Sequence, residues 1–369
     1  MKKRFVKTVC AGLTMSMLAG MLFGCGSGED SKPKTDGSSA NADGLSGKTL
    51  NVGLMPASVG VPVQYAYDQG YFEEEGLDVE LFMFQTGAPI NEAIAAGQID
   101  VAASGAATIF SLANGNCTLL TELCSSGGMG IYVRPDSPIL EEKGELEDHP
   151  DMYGSVDTLE GITILGQLGT SSQLNAAKYM EAFGLGTNDY TLMHMDAGPA
   201  YQAFVAGEGD ALATYPPYSF SAQAEGMVEV CTFEDATGFS ILDSVFGRND
   251  IVEERQDDII AFLKCVMKAS EELKDDELRK EYTTQFYADN GREYSEQDMD
   301  DEIRARRYMG KEDYEQEEYS FGKCFTDQSE FYVENGQITE DQIPNIYNSL
   351  DPSYLNSAIG TDLKPETQN

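Results

Sequence analysis

The feature that most restricts the fold of this chain is a strand–helix alternation running from residue 49 to residue 133. Short apolar segments are followed by helical segments that end at glycine or Asn-Gly, and the cycle repeats. This rhythm is typical of parallel strands joined by helices, and it predicts an α/β unit. The predicted strands are 49–54, 77–84, 99–103, 118–123 and 131–133, and the predicted helices are 63–69, 89–96 and 106–113.

The alternation stops in an acidic stretch at 135–160 and then starts again. Strands are predicted at 162–165, 190–195, 211–214 and 228–232, and helices at 171–183, 200–206 and 219–225. A strand at 239–246 is expected to return to the first unit. Mostly helices follow it, and the charged segments 275–310 and 338–358 are expected to pack on the outside. The tail from residue 361 is expected to be unstructured.

Two lobes follow from this layout. We predict a first lobe formed by residues 48–133 and 239–369, including the C-terminal helices, and a second lobe formed by residues 134–238. Each lobe is expected to hold a mainly parallel sheet flanked by helices. Because the chain crosses between the lobes twice, the two crossover strands have the layout of a hinge.

The N-terminal segment predicts export and anchoring. Basic residues precede a short apolar run that is about the length of a signal-peptide core. The sequence Leu22–Cys25 resembles the lipobox of bacterial lipoproteins, which implies cleavage after Gly24, a diacylglycerol on Cys25 and a signal peptide at 1–24. An ordinary signal peptide with an incidental Cys25 is the alternative. Residues 25–47 read as a flexible tether, so the protein is expected outside the cytoplasm, lipid-anchored at the outer face of the cytoplasmic membrane.

Charge and motif content exclude several functions. The net charge is −39, so phosphate repulsion excludes nucleic acid as a partner, and contact with a membrane is expected through the lipid only. The sequence has two histidines, His149 and His194, and no catalytic, nucleotide-binding or metal-binding motif accompanies them. We therefore expect no catalytic residue, no metal and no cofactor, and we expect His194 to be a hydrogen-bonding residue at the cleft edge or just behind the residues that contact the ligand.

The cysteines do not form a disulfide framework. Beyond Cys10 and Cys25 there are five, at 117, 124, 231, 265 and 324, an odd number without regular spacing. Cys117 and Cys124 could pair across a turn, or all five could be buried free thiols. The sequence leaves both readings open.

Small and polar residues follow the predicted strands and mark the expected ligand site. In open α/β sheets, ligands bind beyond the carboxyl ends of the strands. Backbone N–H groups and hydroxyls at helix starts provide a neutral hydrogen-bonding cradle there. The expected ligand-binding residues are Met55, Pro56, Ser58, Gln85, Thr86, Gly87, Ser104, Gly105, Ala106, Ser125, Gln167, Gly169, Thr170, Ser171, Asp196, Tyr215 and Tyr218.

Four stretches together resemble a known family. They are AYDQGYFEEEGLDVE at 66–80, EAIAAGQIDV at 92–101, DTLEG at 157–161 and AFVAGEGDA at 203–211. In this order they are similar to bacterial substrate-binding proteins of the nitrate, sulfonate and taurine import class, which includes binders of thiamine-pyrimidine precursors. The resemblance implies a type II periplasmic-binding-protein fold, a small-molecule ligand, ABC permease transmembrane subunits as partners and no enzymatic activity. A monomer is expected, and Asp100 and Asp210 are expected to be structural turn residues.

The ligand itself stays open between two classes. Seven loops follow predicted strands in this way, at 55–58, 85–88, 104–108, 124–126, 167–172, 196–198 and 215–218. No Lys or Arg occurs in them, and Asp196 is their one charged residue. Asp196 with Tyr215 and Tyr218 favours a small heterocyclic, aromatic or amine-bearing compound. The alternative is a sulfonate or taurine-like anion resting on helix starts at 86–88 and 169–171. A biosynthetic enzyme on the same scaffold and a sensory lipoprotein are the rival functions.

Overall fold

The computed structural model describes residues 44–317 and 319–368. The predicted signal peptide, Cys25 and most of the tether lie outside these residues. The strands of the described part are β1 Leu50–Leu54, β2 Val79–Met83, β3 Val101–Ser104, β4 Cys117–Ser125, β5 Gly130–Val133, β6 Thr163–Gly166, β7 Thr191–His194, β8 Ala211–Thr214, β9 Val228–Thr232 and β10 Leu242–Arg248.

The helices fill the connections between these strands and form the C-terminal part. They are α1 Val61–Gln69, α2 Tyr71–Glu74, α3 Gly87–Ala95, α4 Thr108–Ala113, α5 Val156–Leu159, α6 Ser171–Ala182, α7 Ala197–Val205, α8 Tyr218–Ala224, α9 Phe233–Thr237, α10 Asn249–Glu254, α11 Gln256–Glu272, α12 Asp276–Asp289, α13 Glu296–Ala305, α14 Lys311–Tyr314, α15 Lys323–Glu334, α16 Ile343–Asn348 and α17 Ser353–Ile359. Short 3₁₀ turns lie at Ser58–Gly60, Pro138–Glu141 and Glu340–Gln342.

Two five-stranded sheets with the same pattern of strand directions organise the described chain. The strand orders are β2-β1-β3-β10-β4 and β7-β6-β8-β5-β9. In the first sheet β1 pairs in parallel with β2 and β3, and β10 lies antiparallel between β3 and β4. In the second sheet β6 pairs in parallel with β7 and β8, and β5 lies antiparallel between β8 and β9. The two-lobed α/β fold predicted from sequence is confirmed.

Each antiparallel strand, β5 or β10, is the first strand that the chain forms after it crosses from one lobe to the other. β4 leads through residues 126–129 into β5, and β9 leads through α9 into β10. Strand 131–133, which we expected in the first lobe, therefore hydrogen-bonds within the second sheet as β5. The error arises because an apolar tripeptide carries no signal for the sheet that it joins; strand partners far along the sequence decide that.

Alternating burial covers both faces of the second sheet. Ile131 and Val133 of β5 pack into one apolar cluster, while Tyr132 between them packs into another on the opposite face. Successive strand side chains point to opposite faces, so a sheet covered by helices on both sides must bury every one. The first sheet lies within a larger cluster that includes residues of α11, α15 and α17.

The C-terminal part differs from the expectation of an outer shell. Residues 292–307 reach the space between the lobes, because Arg292 donates to the Gln85 carbonyl oxygen and the Arg307 N–H donates to Ser125. The tail, expected to be unstructured, pairs with the fold through the Glu366 N–H and the Phe321 carbonyl oxygen at 2.9 Å. Sequence periodicity shows that a helix has an apolar stripe but not which surface that stripe covers.

The described residues include no helix that combines the length and apolar character needed to cross a bilayer.

All five cysteines at 117, 124, 231, 265 and 324 are buried free thiols. Cys117 and Cys124 lie on the same extended strand, β4, seven residues apart. At about 3.3 Å per residue this separation is far beyond disulfide reach. Burial raises the pKa of the Cys117 and Cys265 thiols to about 12.

Candidate functional site: the cleft between two sheet edges

The topology brings the carboxyl ends of the strands in both lobes to one cleft. β4 ends at the carboxyl edge of the first sheet, and four residues later β5 begins at the carboxyl edge of the second. The return from β9 to β10 joins the same two edges. Because each crossover is short, the two edges must face one another. The loops that carry the expected ligand-binding residues therefore line two opposing walls.

The first wall is formed by the loops after β1, β2 and β3. The Ser104 hydroxyl lies 3.7 Å from the Met55 sulfur, so the first and third of these loops touch. A Cβ atom on Gly87 would lie 2.7 Å from the Ala107 Cβ and 2.9 Å from the Ser104 hydroxyl oxygen. Glycine at position 87 is thus what lets α3 begin against the loop that holds Gly105 and Ala106. Gln85 and Thr86 are exposed at the start of that helix.

Ser58 and Pro56 of the same wall are buried. The Ser58 hydroxyl donates to the buried Glu302 carboxylate of α13, and it lies 3.3 Å from the Tyr287 hydroxyl. The structure therefore joins the Ser58 side chain to a buried polar network of the C-terminal part. Its neighbours at Met55 and Ser104–Ala106 form the wall itself.

The second wall is formed by the loops after β6, β7 and β8. It contains a hydrogen-bonded chain of three side chains. The Tyr215 hydroxyl donates to the Gln167 side-chain oxygen at 2.7 Å, and the Gln167 amide donates to the Asp196 carboxylate at 3.2 Å. Burial raises the pKa of the Tyr215 phenol to about 12, so Tyr215 is a donor at neutral pH. This chain fixes the Tyr215 ring and leaves the second Asp196 oxygen at an exposed position before α7.

Tyr218 continues this wall beside the start of α7. Its ring lies 5.8 Å from that of Tyr201, and a Cβ atom on Gly198 would lie 2.8 Å from its hydroxyl oxygen. The close approach requires glycine at position 198. Tyr218 therefore lies on this wall, and its expected contact with a ligand stays a prediction.

The start of α6 contributes Gly169, Thr170 and Ser171 and touches the C-terminal part. Thr170 caps the helix by accepting from the Ser172 N–H at 3.3 Å, and Ser171 is buried. Gln173 of the same helix donates to Asn335 at 3.2 Å, just beyond α15. The helix start is therefore held against the first lobe at this point.

His194 has a structural contact at the cleft edge, as the sequence predicted. Its Nδ1 accepts the Leu168 N–H at 3.1 Å, which fixes the loop after β6. The described residues contain no group of three or more His, Cys, Asp or Glu side chains arranged to hold a metal ion.

The floor of the cleft lies at the crossovers and contains a buried ion pair. Arg306, which follows α13, donates to the Ser126 hydroxyl at 2.6 Å and to the Asp243 carboxylate of β10 at 3.4 Å. Ser125, expected as a ligand contact, instead accepts the Arg307 N–H at 2.9 Å. Because Ser126 and Asp243 belong to different crossovers, Arg306 ties both crossovers to the C-terminal part.

Sequence analysis missed Arg292 as a cation of this cleft, as it missed Arg306 on the floor. Arg292 follows α12, and its guanidinium donates to the Gln85 carbonyl oxygen at 3.3 Å. The same guanidinium opposes, in part, the rise that burial causes in the pKa of Tyr215 on the second wall. A helix followed by Gly-Arg-Glu-Tyr carries no local sign of proximity to a site some 200 residues earlier.

Residues 43–285 match the model of the NMT1-like family. A protein of Brachyspira hyodysenteriae described as an ABC transporter periplasmic binding protein is 31% identical over 325 residues, covering 88% of this chain and 92% of the relative. A Bacillus subtilis protein described as an aliphatic sulfonates-binding protein is 26% identical over 261 residues, covering 68% of this chain and 69% of the relative.

A solved structure agrees with the fold. The periplasmic aliphatic sulphonate binding protein SsuA of Escherichia coli superposes with a TM-score of 0.64 at 17% identity, covering 84% of this chain and 99% of that one. The resemblance to bacterial substrate-binding proteins drawn from the four sequence stretches is thereby confirmed. The match over residues 43–285 and the 31% identical relative together show that this chain belongs to the NMT1-like family.

Proposed function

We propose that this chain is the solute-binding component of an ABC importer and that it captures a small organic molecule in the cleft. The observation that carries the proposal is the opposition of two carboxyl sheet edges, joined by two short crossovers and lined by polar loops. The relative described as an ABC transporter periplasmic binding protein covers most of the chain and supports the same role. The partners are the solute and the transmembrane permease subunits.

Capture works by closure of the two lobes. A ligand that touches both walls only in the closed form shifts the equilibrium toward that form by its difference in affinity for the two states. Closure also removes water from the Tyr215–Gln167–Asp196 chain, which strengthens its hydrogen bonds to the ligand. The permease can then distinguish loaded from empty protein by the closed shape.

Export and anchoring are part of the proposal. The periplasmic name of the Brachyspira relative supports an extracytoplasmic location, and the lipobox-like sequence at 22–25 supports a lipid on Cys25. The protein acts as a monomer in this proposal, which sedimentation of the purified chain would check. No catalytic step is proposed, because the walls present hydrogen-bonding groups without a nucleophile–base pair.

Ligand screening tests the solute-binding role. Purified protein would be heated with sulfonates, pyrimidines, amines and aromatic acids, and a binder at 100-fold over its dissociation constant adds about 2.7 kcal/mol to the unfolding free energy. Small-angle scattering would then show a smaller radius of gyration with the binder. If no compound of the panel raises the unfolding free energy and the scattering curve stays the same with each of them, the proposal is contradicted.

Asp196 provides a test of how the second wall binds the solute. If the ligand carries an amine, Asp196→Asn should weaken binding about tenfold or more, because a charged hydrogen bond is lost. Glu160→Gln removes the same charge from the second lobe at the opposite end of β6 and should leave affinity unchanged. Equal affinity of Asp196→Asn and wild type would remove Asp196 from the site.

A further inference from the structure

The strongest unexplained group in the cleft is the Arg292 guanidinium. It belongs to the segment between α12 and α13, beyond the residues matched to the family, yet it contacts the Gln85 carbonyl oxygen on the first wall. Gln85 and Thr86 immediately precede α3, so the guanidinium lies beside the positive end of that helix. Two positive groups at one point favour a negatively charged occupant.

Arg292 differs from the other arginines of the described chain in its partners. Those at 248, 255, 279, 304, 306 and 307 each lie within ion-pair distance of a carboxylate. Arg134 is held by the carbonyl oxygens of Phe204 and Glu208 and by the Phe204 ring. Within residues 44–317 and 319–368, Arg292 has no carboxylate partner and a single carbonyl acceptor. Its remaining N–H donors are available to a ligand.

The surroundings of Arg292 define the rest of the occupant. Tyr215 of the second wall and Tyr294, two residues beyond Arg292, both pack against the apolar cluster of the first lobe. The Tyr215 hydroxyl is already committed to Gln167, so that residue offers its ring rather than its hydroxyl. An anionic group at Arg292 would therefore have an aromatic wall beside it.

A local cation is needed because the protein as a whole repels anions. The net charge is −39, and a solvated anion approaching the cleft meets that charge over roughly a Debye length of 8–10 Å. A guanidinium in a partly desolvated cleft offsets this repulsion where the ligand rests, since charge-assisted hydrogen bonds are stronger out of water.

We infer that the cleft takes an organic acid whose carboxylate or sulfonate binds Arg292, and that the C-terminal part thus sets the ligand class. This inference rests on the proposed solute-binding function. It decides between the two ligand classes that the loops alone leave open, because it locates a cation that those loops lack. Arg292 is then the residue that selects anionic over neutral solutes.

Matched probes test the inference on the purified full-length mature chain. Calorimetric titration would compare benzoate with benzamide, benzenesulfonate with benzenesulfonamide, and taurine with ethanolamine. Wild type should bind at least one acid and bind its neutral or amine counterpart far more weakly. Arg292→Gln should weaken binding of that acid about 10- to 100-fold, and Arg292→Lys by less, because lysine keeps the charge without the planar pair of donors.

Arg304→Gln is the matched control. It removes one positive charge from an exposed position on α13 and should leave affinity unchanged, which separates a local contact from the general field. Equal melting temperatures without ligand would show that Arg292→Gln is folded.

The outcomes separate the two proposals. Binding of an acid that depends on Arg292 supports the inference. Binding of a neutral compound or an amine that is insensitive to Arg292→Gln, or of an acid with equal affinity in both proteins, overturns the inference and leaves solute binding standing. Absence of binding by every probe and by the wider screening panel overturns the solute-binding role and this inference with it.

Discussion

Asp100 in the first lobe and Asp210 in the second occupy equivalent positions. Each carboxylate accepts a backbone N–H at the start of a neighbouring strand, Asp100 from Asn51 at 2.9 Å and Asp210 from Thr163 at 2.8 Å. The backbone N–H of each aspartate in turn donates to the carbonyl oxygen of the same partner residue, Asn51 for Asp100 and Thr163 for Asp210. The two lobes thus repeat one device that fixes the register of adjacent parallel strands, at the edge away from the cleft.

Replacing these aspartates should affect stability and spare binding. Asp100→Ala should lower the unfolding free energy by about 2–3 kcal/mol, because a buried carboxylate with charged hydrogen bonds is lost. Asp210→Ala should lower it by about 1 kcal/mol, because Asp210 is exposed and water replaces its contact. Urea denaturation would measure both. A large loss of ligand affinity in folded protein would contradict the structural role.

Glu122 is a buried carboxyl group that accepts hydrogen bonds from neutral donors. Tyr319, the Gly322 N–H and Cys324 all donate to it. Burial raises its pKa above the ordinary value of 4.5, and these donors oppose the shift only in part. The folded protein therefore holds this proton more tightly than the unfolded chain, so stability falls as pH rises from about 4.5 through the folded pKa.

Glu122→Gln should remove this pH dependence. The variant should gain stability relative to wild type as pH rises from 4.5 to 8, since the amide keeps an acceptor without a charge to bury. Urea unfolding at several pH values would measure the difference. Glu330→Gln, on an exposed site of α15, is the control and should give a constant difference. A flat difference for Glu122→Gln would show that the group is ionised in both states.

Arg306 should be the most sensitive position of the cleft floor. Its removal leaves Asp243 and Glu302 buried without their cation, so Arg306→Met should lower the unfolding free energy by about 3–5 kcal/mol. Arg307→Met changes the adjacent exposed arginine, whose guanidinium is 3.7 Å from Asp313, and should cost under about 1 kcal/mol. Similar values for the two variants in urea denaturation would show that the buried pair contributes little.

Local sequence patterns predicted the strands well because strand and helix periodicities depend on near neighbours. Ten strands were expected and each is present within a few residues of its predicted bounds. The segments YVRPD at 132–136 and FGRND at 246–250 are also similar in sequence, and the similarity has a structural basis. Arg134 reaches the Gly209 carbonyl oxygen and Arg248 approaches Asp100, so each crossover strand ends in an arginine at the equivalent turn.

What sequence did not show depends on contacts between distant residues. Neither the membership of β5 in the second sheet nor the position of Arg292 has a local signal, because both are set by packing across more than 75 residues. Ser58 and Ser125 looked like open hydroxyls beside strand ends. Their partners, Glu302 and Arg307, belong to the C-terminal part, whose helical pattern says nothing about where it docks.

Lipidation of Cys25 can be tested in cells. Wild-type protein should take up labelled palmitate and remain with membranes, because several acyl chains on one residue hold firmly. Cys25→Ser should lose the label and appear in the soluble extracytoplasmic fraction. Cys10→Ser, within the segment expected to be removed, is the control and should behave as wild type. Membrane retention of Cys25→Ser without label would contradict anchoring by this residue.

The thiols of the folded domain should be unreactive. Burial raises the pKa of all five cysteines at 117, 124, 231, 265 and 324, so little thiolate exists at pH 8 and access is blocked as well. A chain that begins at Gly26 should react negligibly with Ellman's reagent when native and release five thiols per chain in urea. Three thiols would indicate a disulfide, which β4 excludes for Cys117 and Cys124 by keeping them on one extended strand. Fast native reaction would instead place at least one sulfur at the surface, and mass mapping of the labelled peptide would identify which packing contact is open.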